Sequence, residues 1–269
     1  MQSDREGGVL NCLVLSRERR GADHRVSCCS GLPKRATGER LFVFVLGLAL
    51  CGSTAAQTFN RNVSWPGNTL AGVQCYGDAP GYGPYDYVTE RGKIEIVEKY
   101  HFNPTVQRLA FGGSGVATGV ENNLDYTLRA VPNHHLALWA VTRYYLDKRK
   151  ARGEQTVEHH ERSRTGNPPP ECYFQRAQVF APSDGMVSAI YGIYLHKRGA
   201  LAEALIEYQR AEKLIPNNAE LAYNTGLLYF EMANMEKASE YAERAKALGY
   251  PLNGLRDKID RRVAETRSE

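Results

Sequence analysis

A repeat with a period of 34 residues in the C-terminal half is the feature that most constrains how this chain folds. Pro182 and Pro216 lie 34 residues apart, and each closes a similar short segment. The same spacing joins other like residues: Ala177 with Ala211 and Ala245, Phe174 with Tyr208, Gly192 with Gly226, Leu195 with Tyr229, and Ala204 with Ala238. Matches at one spacing indicate an internal structural repeat, in which each unit packs on its neighbours.

The residue types in the repeat favour pairs of antiparallel helices. Glycine and alanine let two helices approach closely, aromatic residues fill the space between pairs, and proline ends each second helix. Over residues 171–250 the period and these residue types resemble the tetratricopeptide repeat family. Three positions depart from the family pattern, which has two aromatic residues and a proline there: Leu195, Ala242 and Tyr250.

The resemblance implies an all-α fold, a tetratricopeptide-like helical hairpin array of about three hairpins plus a capping helix. A weakened copy of the repeat precedes the clear ones, because Pro132 aligns with Pro216 and Tyr145 with Tyr229. Helical periodicity is predicted near Lys93–Lys99. The predicted order is an irregular Gly- and Tyr-rich arm (57–104), degenerate repeat helices (105–147), a charged loop ending in prolines (148–170), the tetratricopeptide hairpins (171–250), and a capping helix and tail (251–269).

The N-terminal region predicts export. An apolar block, Leu41–Leu50, follows three basic residues and precedes a run of small residues that ends at Ala56. This order is typical of a secretory signal peptide, and the block is too short to cross a bilayer as a helix. We therefore expect residues 41–56 to form the signal-peptide core and cleavage region, with cleavage near Ala56 and a periplasmic or secreted location.

Two further interpretations concern the same region. Residues 1–40 form a leader of doubtful translation, since no methionine occurs between Met1 and Met186. Cys51 leaves a lipoprotein anchor open as an alternative, although Leu50 stands where a lipobox has a small residue.

The cysteines predict one disulfide bond. Cys75 and Cys172 are the two that follow the predicted cleavage site. Exported proteins meet an oxidising environment, in which such a pair forms a disulfide bond. The bond would tie the arm to the helix that carries Phe174, and the alternative is two free buried thiols.

Candidate catalytic and metal-binding motifs are weak. The Gly112–Gly119 turn precedes a predicted helix and could hold an anion, but it lacks the lysine of a phosphate-binding loop, so a plain turn is the favoured interpretation. His134 and His135 are adjacent and cannot readily chelate one ion from a helix, so we expect them to cap the helix or to contact the neighbouring hairpin. His159 and His160 fall in the predicted charged loop. We predict no catalytic residues, no cofactor and no metal.

Charge gives no support for a nucleic-acid partner. From Gln57 onward the chain has 26 basic and 25 acidic residues. Four acidic residues are each expected on a solvated helix surface rather than in a pocket: Glu95, Glu98, Asp125 and Glu207. No integral membrane span is predicted, and membrane association through partners stays open.

The resemblance implies a non-catalytic scaffold or assembly adaptor that binds a peptide or a partner helix on its concave face. The family's inward positions give the candidate groove residues Trp139, Arg143, Met186, Ile193, His196, Glu220, Tyr223, Asn224, Leu227 and Phe230. This mixed apolar and aromatic set suits an apolar peptide better than an acidic tail. Alternative functions are a carrier of a small ligand or cell-wall fragment, and a hydrolase with a site near Gly112–Gly119. It is also open whether the arm or the capping helix covers several of the candidate groove residues.

Overall fold

The computed structural model describes residues 65–110, 119–152 and 166–268. The predicted leader, signal peptide and cleavage region, the start of the arm, and most of the Gly112–Gly119 turn lie outside these ranges. The helices are α1 (Arg91–His101), α2 (Pro104–Gln107), α3 (Gly119–Ala130), α4 (His135–Arg152), α5 (Pro170–Phe180), α6 (Gly185–Lys197), α7 (Leu201–Leu214), α8 (Ala219–Glu231), α9 (Met235–Ala247) and α10 (Gly254–Ser268).

The predicted all-α architecture is confirmed. The described part of the chain contains no strand beyond one isolated bridge between Asn68 and Gln74. Helices α6 and α7 form one extensively packed antiparallel hairpin, and α8 and α9 form the next. Helices α4 and α5 also contact each other and precede them. Three consecutive helix pairs therefore stack in the order of the sequence repeat.

Short polar side chains start the helices of the repeats. The Asp184 carboxylate accepts a hydrogen bond from the Met186 amide at 3.1 Å, and the Asn218 side chain accepts one from the Leu221 amide at 2.8 Å. The Asn234 side chain does the same for the Lys237 amide at 3.0 Å. Such caps satisfy amides that have no partner within the first helical turn.

Glycine permits the close approach within a hairpin. Gly192 on α6 lies directly against the ring of Tyr208 on α7, which is fully buried. Gly226 on α8 lies in the same way against Tyr241 of α9 and Leu255 of α10. The repeated glycines are thus places where two helices meet at backbone distance.

Replacing Gly192 by alanine tests this packing. The new methyl group would overlap the Tyr208 ring, so we expect the free energy of unfolding to fall by about 2 kcal/mol despite the better helix propensity of alanine. Gly92→Ala on α1 is the control, because no atom of another part of the chain lies near that site. Urea unfolding of both variants measures the difference; equal stabilities would contradict the packing argument.

Helix α4 extends further than the predicted boundary at residue 147. It continues to Arg152, into the segment predicted as a charged loop. Residues 148–152 are Lys, Arg and Ala, which are good helix formers, and the first glycine after them is Gly153. At the other end of that segment, Pro170 begins α5.

The arm packs on the first repeat through a covalent bond and buried polar contacts. Cys75 and Cys172 form a disulfide bond with their Cα atoms 5.3 Å apart, as the sequence predicted. The fully buried Glu171 carboxylate accepts hydrogen bonds from the Leu70 amide at 2.9 Å and from the Tyr194 hydroxyl at 2.6 Å. The arm, α5 and α6 therefore meet at one carboxylate.

Helix α10 closes the C-terminal end of the stack. Leu255 and Ile259 are buried, and together with Ala238 of α9 they form a small apolar cluster. Val263 packs on the same cluster, so the predicted spacing of every fourth residue describes the inner face of this helix. Helix α10 contacts both α8 and α9, where a further repeat would otherwise pack.

Candidate partner-binding surface

The ten predicted groove residues lie on the first helices of the three pairs. Helix α4 carries Trp139 and Arg143, and α6 carries Met186, Ile193 and His196. Helix α8 carries the remaining five: Glu220, Tyr223, Asn224, Leu227 and Phe230. Ile193 and Glu220 are buried, whereas the other eight side chains are half-buried.

Helix α10 covers part of the predicted groove. Tyr223, Leu227 and Phe230 pack against the cluster that contains Leu255 and Ile259. Tyr223 also stacks on Tyr250 with ring centres 4.2 Å apart. These three α8 residues therefore pack against the helix that ends the array, and their role in binding a partner stays a prediction. The sequence had left such cover open as an alternative.

Phe230 makes one further contact with the capping helix. The guanidinium of Arg262 on α10 lies 5.2 Å from the centre of its ring. A cation held over an aromatic face is attracted by the ring electrons, which adds to the apolar packing.

An imidazole and a carboxylate connect the ends of α6 and α8. His196 Nε2 lies 3.0 Å from Glu231 Oε2, and the His196 ring meets the Tyr208 ring edge-on. Burial lowers the pKa of His196, while the neighbouring Glu231 carboxylate opposes that shift. This pair links two successive first helices of the array at their C-terminal ends.

The Arg143 side chain contacts α2, the short helix that precedes α3. Its Nη2 donates a hydrogen bond to the Gln107 carbonyl at 2.7 Å. Burial lowers the pKa of this guanidinium, and Asp147, one turn later, opposes the shift. Arg143 thus anchors α2 to α4 while its side chain stays half-buried.

Comparison with known proteins gives one family match at this surface. A model described as TPR repeat matches residues 194–232, which run from the end of α6 through α8. Residues 194–232 therefore contain a tetratricopeptide repeat. No curated protein and no solved structure matches the chain.

Glu220 is a buried ionisable group on the tetratricopeptide helices. It lies in the first turn of α8, is 8% exposed, and its Oε2 atom has no hydrogen-bond partner among the described residues. Burial raises the pKa of this carboxyl from 4.5 to about 7, although a hydrogen bond with Asn224 opposes the rise. The Asn224 side chain is therefore already engaged by a carboxyl of its own chain.

The two adjacent histidines join the arm to the tetratricopeptide array. His135 Nε2 lies 2.7 Å from the Asp184 carboxylate at the start of α6, as expected for a contact with the neighbouring hairpin. His134 is fully buried beside the ring of Tyr87, and its Nε2 lies 3.2 Å from Glu98 Oε1. Burial lowers the pKa of His134, and Glu98 opposes the shift.

The prediction that the acidic residues all occupy solvated surfaces is wrong for two of the four. Asp125 is 7% exposed and accepts hydrogen bonds from Arg129 Nε and the Tyr173 hydroxyl. Glu207 is 9% exposed and binds the Gln178 side chain. Each carboxylate accepts a hydrogen bond from a side chain on another helix, Tyr173 for Asp125 and Gln178 for Glu207. Helical periodicity does not predict contacts between helices that are distant in the sequence.

Sequence reasoning also missed Arg176, a buried cation between the arm and the array. Its Nη1 and Nη2 donate hydrogen bonds to the Leu128 and Arg129 carbonyls, at 2.8 and 3.1 Å, at the end of α3. Burial lowers the pKa of this guanidinium to about 10, and the nearby Arg129 adds to the shift. The repeat gave no signal for this burial, because Arg210, at the same position of the next repeat, is exposed.

The described ranges contain neither a metal-binding cluster nor a membrane-spanning helix. Within residues 65–110, 119–152 and 166–268, no three His, Cys, Asp or Glu side chains are grouped to hold a metal ion. Among the helices in these ranges, none has the length and apolar content needed to span a membrane.

Proposed function

We propose that this protein is a non-catalytic scaffold that holds an extended peptide or a helix of a partner protein against α4, α6 and α8. The observation that carries the proposal is the tetratricopeptide repeat itself, whose stacked first helices form a continuous surface in this family. The residues of that surface that are half-buried and do not belong to the α10 cluster are Trp139, Arg143, Met186, His196 and Asn224.

The chemistry of these five side chains favours an apolar segment over an acidic tail. Trp139 and Met186 offer large, half-buried apolar groups, and such anchors supply most of the affinity at protein interfaces. The polar members are already engaged, since Arg143 binds the Gln107 carbonyl and His196 pairs with Glu231. The partner would therefore insert apolar side chains between polar groups that fix its register.

The compartment we propose is the periplasm or the outside of the cell. The order of basic, apolar and small residues before Ala56 supports export. A disulfide bond between Cys75 and Cys172 is compatible with it, because such bonds persist in oxidising compartments. Fractionation of cells that make the full chain, with mass determination of the product, would reveal whether cleavage occurs near Ala56.

Site-specific crosslinking tests the binding surface. A photoreactive amino acid at Trp139 or Met186 should trap the same discrete partner in cells, whereas the same group at the exposed Gln209 on α7 should not. With the partner in hand, Met186→Asp should weaken binding about tenfold or more, because a charge in the contact must be desolvated. Gln209→Asp is the matched control with the same added charge.

The outcomes separate the scaffold from its alternatives. If Met186→Asp binds the trapped partner as tightly as Gln209→Asp does, the proposed surface is wrong. Trapping of a small molecule or a glycan instead of a protein would favour a ligand carrier. Thermal unfolding of both variants must agree within a few degrees, which excludes loss of the fold as the cause.

A further inference from the structure

A groove of about 580 Å³ lies where the arm meets the second helices of the array. It is separate from the surface formed by α4, α6 and α8, since its lining comes from the arm, from α5 with the turn that follows it, and from α7. This volume falls within the range of clefts that bind ligands or peptide side chains. Its apolar and basic lining residues are Pro66, Val179, Pro182, Leu214, Arg210 and Lys213.

The groove exposes apolar side chains that a closed repeat surface would bury. Val179 is 54% exposed and Leu214 is 39% exposed. On α7 the same face continues beyond the groove to Ile206, which is 59% exposed, because Ile206, Arg210 and Leu214 are spaced four residues apart. An elongated face with exposed apolar side chains suits a linear segment better than a compact small molecule.

The charged side chains that line the groove, Arg210 and Lys213, are both basic. Its described lining contains two cations and no carboxylate. Lys213 forms no ion pair with any described residue, and the Arg210 guanidinium lies 3.8 Å from its nearest acidic partner, Glu207. The Glu207 carboxyl is itself buried and bound by Gln178, so it offers little to an incoming group. A ligand with negative charge would complement this rim.

The arm supplies one wall of the groove, and the wall is held in place. Gln175 of α5 accepts a hydrogen bond from the Asn68 amide at 3.2 Å and donates one to the Asn68 carbonyl at 2.8 Å. Gly67 has a positive φ of 79°, and its missing side chain leaves room for the Gln175 carboxamide. The groove therefore exists as a formed feature while the arm is docked.

We propose that this groove is a second interaction surface, which binds a peptide segment of a partner protein that carries a large apolar residue next to acidic residues. The apolar side chain would cover Val179 and Leu214 and thereby remove them from water. The acidic neighbours would face Lys213 and Arg210. The proposal is independent of the surface on α4, α6 and α8, because the two share no lining residue.

Selection from a random library of short displayed peptides tests the proposal. The library is selected on the purified wild-type protein and depleted on Leu214→Asp, so peptides that bind elsewhere, including the α4, α6 and α8 surface, are removed. We expect the remaining peptides to share a large apolar residue flanked by Asp or Glu. Leu214 is partly exposed, so the variant should fold; Val179→Lys serves as a second depleting variant.

Charge reversal then tests the role of the rim. Synthetic copies of a selected peptide should bind Lys213→Glu about tenfold more weakly than wild type, and most of the difference should vanish at high salt. Replacing the acidic residues of the peptide by lysine should restore part of the binding to Lys213→Glu. Gln209→Glu is the control on the same helix.

Three results would overturn the proposal. One is that no peptide distinguishes wild type from Leu214→Asp. Another is that the selected peptides show no acidic preference, or bind Lys213→Glu unchanged. A third is that the wild-type protein forms dimers that Leu214→Asp abolishes, which would assign the groove to a second copy of the chain.

Discussion

Replacing both Cys75 and Cys172 by serine is expected to lower the free energy of unfolding by about 4 to 5 kcal/mol. The bond joins residues separated by 97 positions, and closing a loop of about that length removes much of the conformational entropy of the unfolded chain. The same change should loosen the arm, because only noncovalent contacts, such as those of Glu171 and Gln175, would then hold it.

Urea unfolding with and without reductant measures the global effect. Wild type should lose stability on reduction, whereas the double serine variant should not respond to reductant. Amide exchange at Leu70, whose N–H is bonded to Glu171, reports the arm separately and should become faster. If alkylation of the unfolded, unreduced protein labels both sulfur atoms, the bond does not form and this expectation fails.

Replacing Glu220 by glutamine should raise stability in neutral and alkaline solution. The carboxyl has an ordinary pKa of 4.5 when unfolded and a pKa of about 7 when folded. Between these pH values the folded protein keeps a proton that the unfolded chain has lost, so stability falls as the pH rises through that window. Above it, the wild type carries a penalty of about 3 kcal/mol that the glutamine variant lacks.

Measuring the free energy of unfolding of Glu220→Gln and of wild type at several pH values isolates the contribution of the Glu220 carboxyl. Below pH 4.5 the difference in unfolding free energy between Glu220→Gln and wild type should be small, and it should grow until about pH 7. Glu236→Gln, an exposed residue in the first turn of α9, is the control and should show no such growth. A constant difference across the whole range would show that folding does not raise the pKa of Glu220.

The repeat period was enough to predict the helices of the C-terminal hairpins. Glycines at Gly192 and Gly226 and prolines at Pro182 and Pro216 mark where helices touch and end, and those are local properties of the sequence. The disulfide bond could be predicted as well, because two cysteines remained after the predicted signal peptide.

Other features depend on contacts that a single sequence does not encode locally. Glu171 binds the amide of Leu70, 101 positions earlier, and Tyr173 binds Asp125 from 48 positions later. No period relates such residues, so their burial could not be predicted. The cover of Tyr223, Leu227 and Phe230 by α10 has the same cause, since it depends on where the capping helix returns in space.

The disulfide between the arm and α5 gives the array a direction. In a stack of repeats each unit normally depends on its immediate neighbours, so either end can fray first. Here the first described repeat is crosslinked to the arm across 97 positions, whereas α10 is held by noncovalent contacts with α8 and α9. Unravelling, by heat, by force or by a processive protease, should therefore start at α10 and advance toward the crosslink, which acts as a stop.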